Sequence, residues 1–210
     1  MRYKYSTPRK IAISQEEREK LPRTRCREVW EAYVRHVLLP VLLPPRIVQD
    51  LDTIAFQPKK LPPNKGVFLF GKPHTGKTIE AAFLYVEWYY ENVWKPASSK
   101  KKGQFITMSD FMQELKDSIS NQNKSSQQVL DYFKDLDLLV LDDFGTDKLG
   151  DWAYQSLYYV VNYRYENLLP TIYTSNFSLP EIVEQLQDER LVKRIGVSCQ
   201  IVEKKKIYAL

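Results

Sequence analysis

Residues Gly71 to Thr78 read Gly-Lys-Pro-His-Thr-Gly-Lys-Thr and stand between two segments of opposite conformational habit. Before them, Val67-Phe68-Leu69-Phe70 is a continuous apolar run bounded by Lys65-Gly66 and Gly71, the pattern of a strand buried on both faces of a parallel sheet. After them, no Pro or Gly occurs from Lys77 until Pro96. Ile79, Ala82, Phe83, Val86 and Tyr90 recur there at three- and four-residue steps, so the spacing predicts a helix of about five turns. A buried strand feeding a helix through a tight turn restricts the chain to layered α/β folds.

The turn also fits the pattern G-x-x-x-x-G-K-[ST]. In such a loop, here Gly71, Lys72, Pro73, His74, Thr75, Gly76, Lys77 and Thr78, backbone N–H groups cradle phosphates. Lys77 is then expected to reach the β/γ oxygens and the Thr78 hydroxyl to meet Mg²⁺. Further on, Leu138-Leu139-Val140-Leu141 is an apolar run ending in Asp142-Asp143. Alone, it would be a core strand with two solvated acids. Downstream of a phosphate loop, Asp142 is expected to hold Mg²⁺, directly or through water, and Asp143 to polarise the attacking water. Many ATPases have Glu at the second position, and the shorter Asp makes the role of Asp143 less definite than that of Asp142. The two motifs in this order point to a Mg²⁺-dependent nucleoside-triphosphate hydrolase.

A chain of 210 residues, 43% hydrophobic, can bury one sizeable core. The expected organisation is a basic, partly helical extension over residues 1–60 and one α/β core over residues 61–210. No apolar run approaches the roughly 18 residues of a membrane span, and no secretory signal is visible, so no membrane association is expected. Cys26 and Cys199 match no paired spacing, and with only His36 and His74 a structural zinc site is not expected. Two unpaired thiols suit a cytoplasmic protein.

The net charge of +5 and pI near 9.0 suggest an anionic partner besides the nucleotide. Basic residues gather in the first thirty-five positions, in Lys100-Lys101-Lys102 and in Lys204-Lys205-Lys206. With fourteen Tyr and four Trp, these clusters make a groove for single-stranded DNA conceivable. A solvated surface explains each cluster equally well. Trp88-Tyr89-Tyr90 and Tyr158-Tyr159 fall inside predicted amphipathic helices, where core packing or a subunit interface accounts for them more simply.

Element by element, Ser14 to Lys20 and Thr24 to Leu39 read as helical. Residues 46–57 read as a short helix docking Ile47, Val48, Leu51 and Ile54 on the core. Phe105 to Met108 reads as a strand, with Ser109 as N-cap of a helix through about Ile119. A polar loop spans Ser120 to Ser126, and a further helix runs from about Ser126 to Lys134. Asp151 to Asn167 is expected to be helical, Thr171 to Asn176 a strand with a polar end, and Leu179 to Leu186 and Asp188 to Ile195 helices. Gln200 to Val202 and Lys206 to Tyr208 read as extended segments. Such alternation implies a parallel sheet flanked by helices, with ligands at the carboxyl ends of its strands. That rule gathers Gly71 to Thr78, Asp142, Asp143, Ser175 and Asn176 at one edge.

Five pieces together carry a resemblance: the Gly71 to Thr78 loop; Asp142-Asp143-Phe144-Gly145; Arg164-Tyr165-Glu166 followed by Pro170-Thr171-Ile172; Thr174-Ser175-Asn176; and Glu189-Arg190-Leu191-Val192-Lys193-Arg194. From about Gly66 onward the chain resembles the DnaC, DnaI and IstB branch of AAA+ ATPases, which includes helicase loaders and the ATPase subunits of certain transposons. The resemblance implies a P-loop NTPase fold with an AAA+, RecA-like core and no C-terminal lid. It implies Asn176 as the sensor contacting the γ-phosphate or attacking water, and Arg194 as an arginine finger offered to a neighbouring subunit. It further implies a homo-oligomer, ring or helical filament, when ATP is bound, and a replicative helicase or a transposase as partner. Asn176 could instead cap a turn, and Arg194 could pair with Glu189 or Asp188, leaving Arg190 as the competing finger. The short N-terminal extension differs from the larger helicase-gripping modules of helicase loaders, so the partner stays open. A small-molecule P-loop kinase and a non-hydrolysing ATP-dependent adaptor are the alternatives of other classes.

Overall fold

The computed structural model describes residues 43–53, 60–93, 102–120, 125–145 and 149–205. The expected helices at Ser14–Lys20 and Thr24–Leu39, the position of Ile54 and the extended segment Lys206–Tyr208 lie outside them. So does most of the polar loop before Ser126.

The phosphate-loop strand is an interior strand. In chain order the elements are α1 (Pro45–Thr53), β1 (Gly66–Phe70), α2 (Lys77–Val93), β2 (Gly103–Thr107), α3 (Met108–Ser120), α4 (Ser126–Lys134), β3 (Leu138–Asp142), α5 (Asp151–Glu166), β4 (Thr171–Ser175), α6 (Leu179–Leu186), α7 (Arg190–Ser198) and β5 (Cys199–Glu203). The five strands form one sheet in the order β2-β3-β4-β1-β5, with every neighbouring pair parallel. β1 therefore lies between β4 and β5, and its register with β4 sets Phe70 opposite Ser175.

Strand periodicity divides the core between the two faces. Val67, Leu69, Phe105, Leu138, Val140 and Ile172 turn toward α1 and α2. Phe68, Ile106, Leu139, Leu141 and Tyr173 turn toward α3 to α7. Every residue of β3 and β4 is buried, as the unbroken apolar run in β3 requires of a central parallel strand. On α2, Trp88 and Tyr89 are buried against the sheet, so their role is packing, and Gly103 admits no larger residue because an added Cβ would meet Trp88 and Tyr85 at 2.7 and 2.9 Å. On α1, Ile47 is buried and Val48 packs beside it.

Two helix starts depart from the sequence reading. Met108 is the first residue of α3 rather than the last of a strand, and the cap is Thr107, not Ser109: Thr107 Oγ1 accepts the N–H of Asp110 at 3.1 Å. The last long helix begins at Arg190 and runs to Ser198, because Asp188 Oδ1 accepts the Arg190 N–H at 2.8 Å and so stands before the helix, not inside it.

Arg164 on α5 is 1% exposed with no carboxylate bonded to it among the described residues. Its Nε donates to Thr171 Oγ1, its Nη1 to the carbonyls of Phe133, Lys134 and Leu136, and its Nη2 to that of Pro170, over 2.6 to 3.2 Å. The end of α4, where unsatisfied carbonyls carry partial negative charge, thus supplies what a counterion would. Burial still pulls the guanidinium down to about 10. This residue ties α4, α5 and β4 together behind the strands that carry the site.

Candidate functional site

Three strands deliver the site from their carboxyl ends. β1 runs into the Gly71–Gly76 turn, β3 ends on Asp142, and β4 delivers Thr174 and Ser175, with Asn176 just beyond it. In the turn, His74 (φ 61) and Gly76 (φ 81) take left-handed backbone conformations, the kind that turns successive N–H groups to one side and makes an anion cradle. The Thr75 hydroxyl closes the turn by donating to the Lys72 carbonyl at 2.8 Å. Gly71 is required by a close approach, since a Cβ there would lie 2.4 Å from the Lys204 carbonyl oxygen. The cradle sits at the N-terminus of the seventeen-residue α2, whose dipole also favours negative charge.

Lys77 opens α2 and is buried, not a loop side chain held in solvent. Its ammonium donates to the Gly71 and Lys72 carbonyls and to Asn176 Oδ1, each at 2.9 Å. Burial lowers its pKa, and the Asp143 and Asp142 charges oppose that shift. Thr78 donates to Asp142 Oδ1 at 2.9 Å, and Thr174 donates to the same oxygen at 2.5 Å. Asp142 is 4% exposed, and burial pushes its carboxyl up to about 6 against the hydrogen bonds from Thr174 and Thr78. Asp143 is exposed, with φ at 59, and its N–H donates to Thr174 Oγ1 at 3.0 Å.

Lys77, Thr78, Asp142, Asp143 and Asn176 are thereby joined in one polar cluster. Lys72, Pro73 and His74 form the exposed lip of the turn, while Thr75 is buried beneath it. Asn176 does more than cap a turn, because its side-chain oxygen meets Lys77. The residues suit Mg²⁺: a hydroxyl and a carboxylate converge at the start of α2, and hard oxygen ligands are what that ion takes. Among the described residues no group of three or more His, Cys, Asp and Glu forms a metal cage.

Arg194 and Arg190 are not part of this cluster. Both lie on α7 against α5, with their guanidinium carbons 4.8 and 5.3 Å from the centre of the Tyr158 ring. Arg190 pairs with Asp188 at 2.7 Å. Arg194 pairs with neither Asp188 nor Glu189; its Nε donates to Asn162 Oδ1 and its Nη1 to the Arg190 carbonyl at 3.0 Å, while Glu189 is taken by Lys193.

Sequence reasoning missed two participants. Thr174 stands in the sequence as the polar end of a strand and part of the Thr174-Ser175-Asn176 piece, with no role of its own. Lys204 belongs in the sequence to a basic cluster that suits a solvated surface or a single-stranded DNA groove, whereas its ammonium bonds to Glu80 in the first turn of α2 and both side chains are mostly buried. Its N–H also donates to the Phe70 carbonyl at 2.7 Å, so the end of β5 braces the base of the phosphate loop.

A model of the family described as IstB-like ATP binding protein matches residues 14–206. The replicative helicase loader DnaI of Bacillus subtilis is 28% identical over 143 residues, covering 62% of this chain and 43% of that protein. The replicative helicase loader DnaC of Escherichia coli K12 is 29% identical over 133 residues, covering 63% of this chain and 51% of that protein. The chain thus spans about half the length of these curated relatives. Among solved structures, that of the DnaC helicase loader superposes with a TM-score of 0.58 at 25% identity over 76% of this chain and 86% of the other. AMPPCP-bound DnaA from Aquifex aeolicus shares the fold, with a TM-score of 0.56 at 18% identity over 67% of this chain and 41% of the other. The architecture is that of the AAA+ P-loop ATPases. No helix among the described residues is long and apolar enough to cross a membrane.

Proposed function

The chain belongs to the family of IstB-like ATP binding proteins, and from that premise we propose that it is a Mg²⁺-dependent ATPase acting in DNA replication as a helicase-loader-like protein that assembles on DNA. The observation that carries this reading is the hydrogen-bonded path Asn176–Lys77 and Thr78–Asp142 across the ends of β4, β1 and β3. It brings a cation, a hydroxyl, a carboxylate and an amide to one anion cradle. Phosphoryl transfer needs this kind of positioning and charge stabilisation and little covalent chemistry from the protein.

In this reading the Gly71–Thr78 turn binds the phosphates through its N–H groups, and Lys77 exchanges a carbonyl partner for the β/γ oxygens. Thr78 and Asp142 hold Mg²⁺. When bound, the ion neutralises charge that develops on the phosphate oxygens. Asp143, exposed beside the buried acid, accepts hydrogen bonds from the attacking water and orients it. Asn176 contacts the γ-phosphate or that water. Arg194 serves a neighbouring copy; within its own chain its side chain is held by Asn162 and Tyr158 of α5 and bonds to none of the cradle residues. Hydrolysis is then linked to a homo-oligomer, a ring or helical filament, formed with ATP.

The helicase loader reading draws on the relatives DnaI and DnaC, both of them replicative helicase loaders. A replicative helicase is the corresponding protein partner and single-stranded DNA the nucleic acid. Membership of the IstB-like family leaves room for a second reading, an IstB-like ATPase that recruits or regulates a transposase. Turnover with and without single-stranded DNA tests the first reading: it predicts Mg²⁺-dependent hydrolysis altered by single strands, and ATP-favoured binding that weakens steeply with salt. A purified replicative helicase should be retained by the ATP-bound protein. Retention of a transposase and not of the helicase overturns the loader reading in favour of the second.

A further inference from the structure

β4 ends in Thr174-Ser175-Asn176, and each of these side chains holds a different part of the site. Asn176 accepts from Lys77 at 2.9 Å. Ser175 Oγ donates to the Phe144 carbonyl at 2.7 Å, fixing the turn that follows the two acids. Thr174 is wholly buried, and its hydroxyl has partners on both acids. It donates to Asp142 Oδ1 at 2.5 Å and accepts the Asp143 N–H at 3.0 Å. A hydroxyl has one proton to give, so the proton is committed to Asp142 and a lone pair to Asp143.

Asp143 has the greater need of such a partner. Its φ of 59 lies in the left-handed region, uncommon for residues other than glycine though more accessible to Asp than to most, and the Thr174 hydroxyl holds its N–H there. Thr174 meets this corner twice, through its hydroxyl at Asp143 N–H and through its carbonyl, which accepts the Phe144 N–H at 2.7 Å. The parallel register that pairs Leu141 with Tyr173 brings Thr174 alongside Asp142. Packing alone does not call for a hydroxyl here, because valine has the same shape.

We infer that Thr174 is a positioning residue of the ATPase centre, one buried hydroxyl that aligns Asp142 by donating to its carboxylate and Asp143 by accepting its N–H. The inference rests on the proposed roles of Asp142 and Asp143. Hydroxyl and packing predict opposite orders for two substitutions. Thr174→Val keeps the shape and loses both hydrogen bonds, whereas Thr174→Ser keeps both hydrogen bonds and loses a methyl group.

The test compares ATP turnover of the full chain with these two variants, together with affinity for a fluorescent ATP analogue with and without Mg²⁺. Thr174→Val should lower kcat by about ten- to a hundredfold, since misplacing catalytic groups by about 1 Å costs up to about 10²-fold. Its KM should stay within about threefold of wild type, the mark of an interaction realised in the transition state. Thr174→Ser should turn over near the wild-type rate even where it melts at a lower temperature. Wild-type turnover by Thr174→Val, or a loss in Thr174→Ser as large as in Thr174→Val, overturns the inference. If Thr174→Val does not fold, Thr174→Ser decides: retained kcat supports the role and lost kcat removes it. Should the wild-type chain hydrolyse no ATP, the hydrolysis reading falls by itself and the binding arm decides Thr174. A smaller Mg²⁺-dependent gain in affinity for Thr174→Val than for wild type and Thr174→Ser supports it; equal gains refute it.

Discussion

The ammonium of Lys77 and the side-chain oxygen of Asn176, ninety-nine positions apart in sequence, meet at 2.9 Å where β1 and β4 lie side by side. In the proposed reading this contact pre-sets the cation that meets the phosphates. Lys77→Ala removes it together with two donations to loop carbonyls. ATP affinity should fall by at least about thirtyfold, given the roughly 2–5 kcal/mol typical of truncating one partner in a desolvated charged contact. Titration with ATP on the folded variant, checked by circular dichroism, reads the effect; unchanged affinity would remove Lys77 from the site.

Asp142 is held at a cost to the free protein. Its pKa is raised from 3.8 to about 6 by burial, so the folded chain binds this proton more tightly than the unfolded chain. The associated stability is fully present below about pH 4 and is lost as pH rises through about 6, leaving the ionised acid about 3 kcal/mol unfavourable at neutral pH. Asp142→Asn keeps an oxygen for Thr78 and Thr174 and carries no charge. Melting at pH 7 without nucleotide should therefore occur at a higher temperature than wild type, with the difference shrinking toward pH 4, while Mg²⁺-dependent turnover disappears. Equal melting at pH 7 would mean that the carboxylate is not strained by burial.

Arg194 offers a test by mixing. Arg194→Ala should bind ATP as wild type does and lose hydrolysis and ATP-dependent assembly. Combined with Lys77→Ala, it should recover part of the turnover that neither variant has alone, because one contributes an intact finger and the other an intact cradle. Mixed oligomers in sedimentation without any recovered turnover would rule Arg194 out and bring forward Arg190, which leans on the same Tyr158 ring.

What was legible in the sequence was what short-range rules govern. The strand before Gly71, the helix after Lys77 and the α4 span Ser126–Lys134 follow from periodicity and loop chemistry. The two acids were legible because an apolar run ending in Asp-Asp needs little context once a phosphate loop precedes it. Thr174 was not, because its meaning depends on β3 and β4 being neighbours in register, which no local pattern encodes. Arg164 looked like a helix end and is instead a buried hub, visible only once α4 and α5 pack and aim backbone carbonyls at one point. Lys204 looked like surface charge until β5 was laid against β1 and brought it to Glu80. Long-range pairing, not local propensity, made the difference in all three.

Steady-state turnover of Asp143→Asn at matched ATP occupancy tests most directly whether this cradle hydrolyses ATP with Asp143 orienting the water. The wild-type chain should hydrolyse ATP in the presence of Mg²⁺. The variant should bind ATP within about threefold of wild type and turn over slower by about 10²-fold or more, the range for losing a positioned general base. Full turnover by Asp143→Asn, or a wild-type chain that binds ATP and releases no phosphate, would contradict this reading.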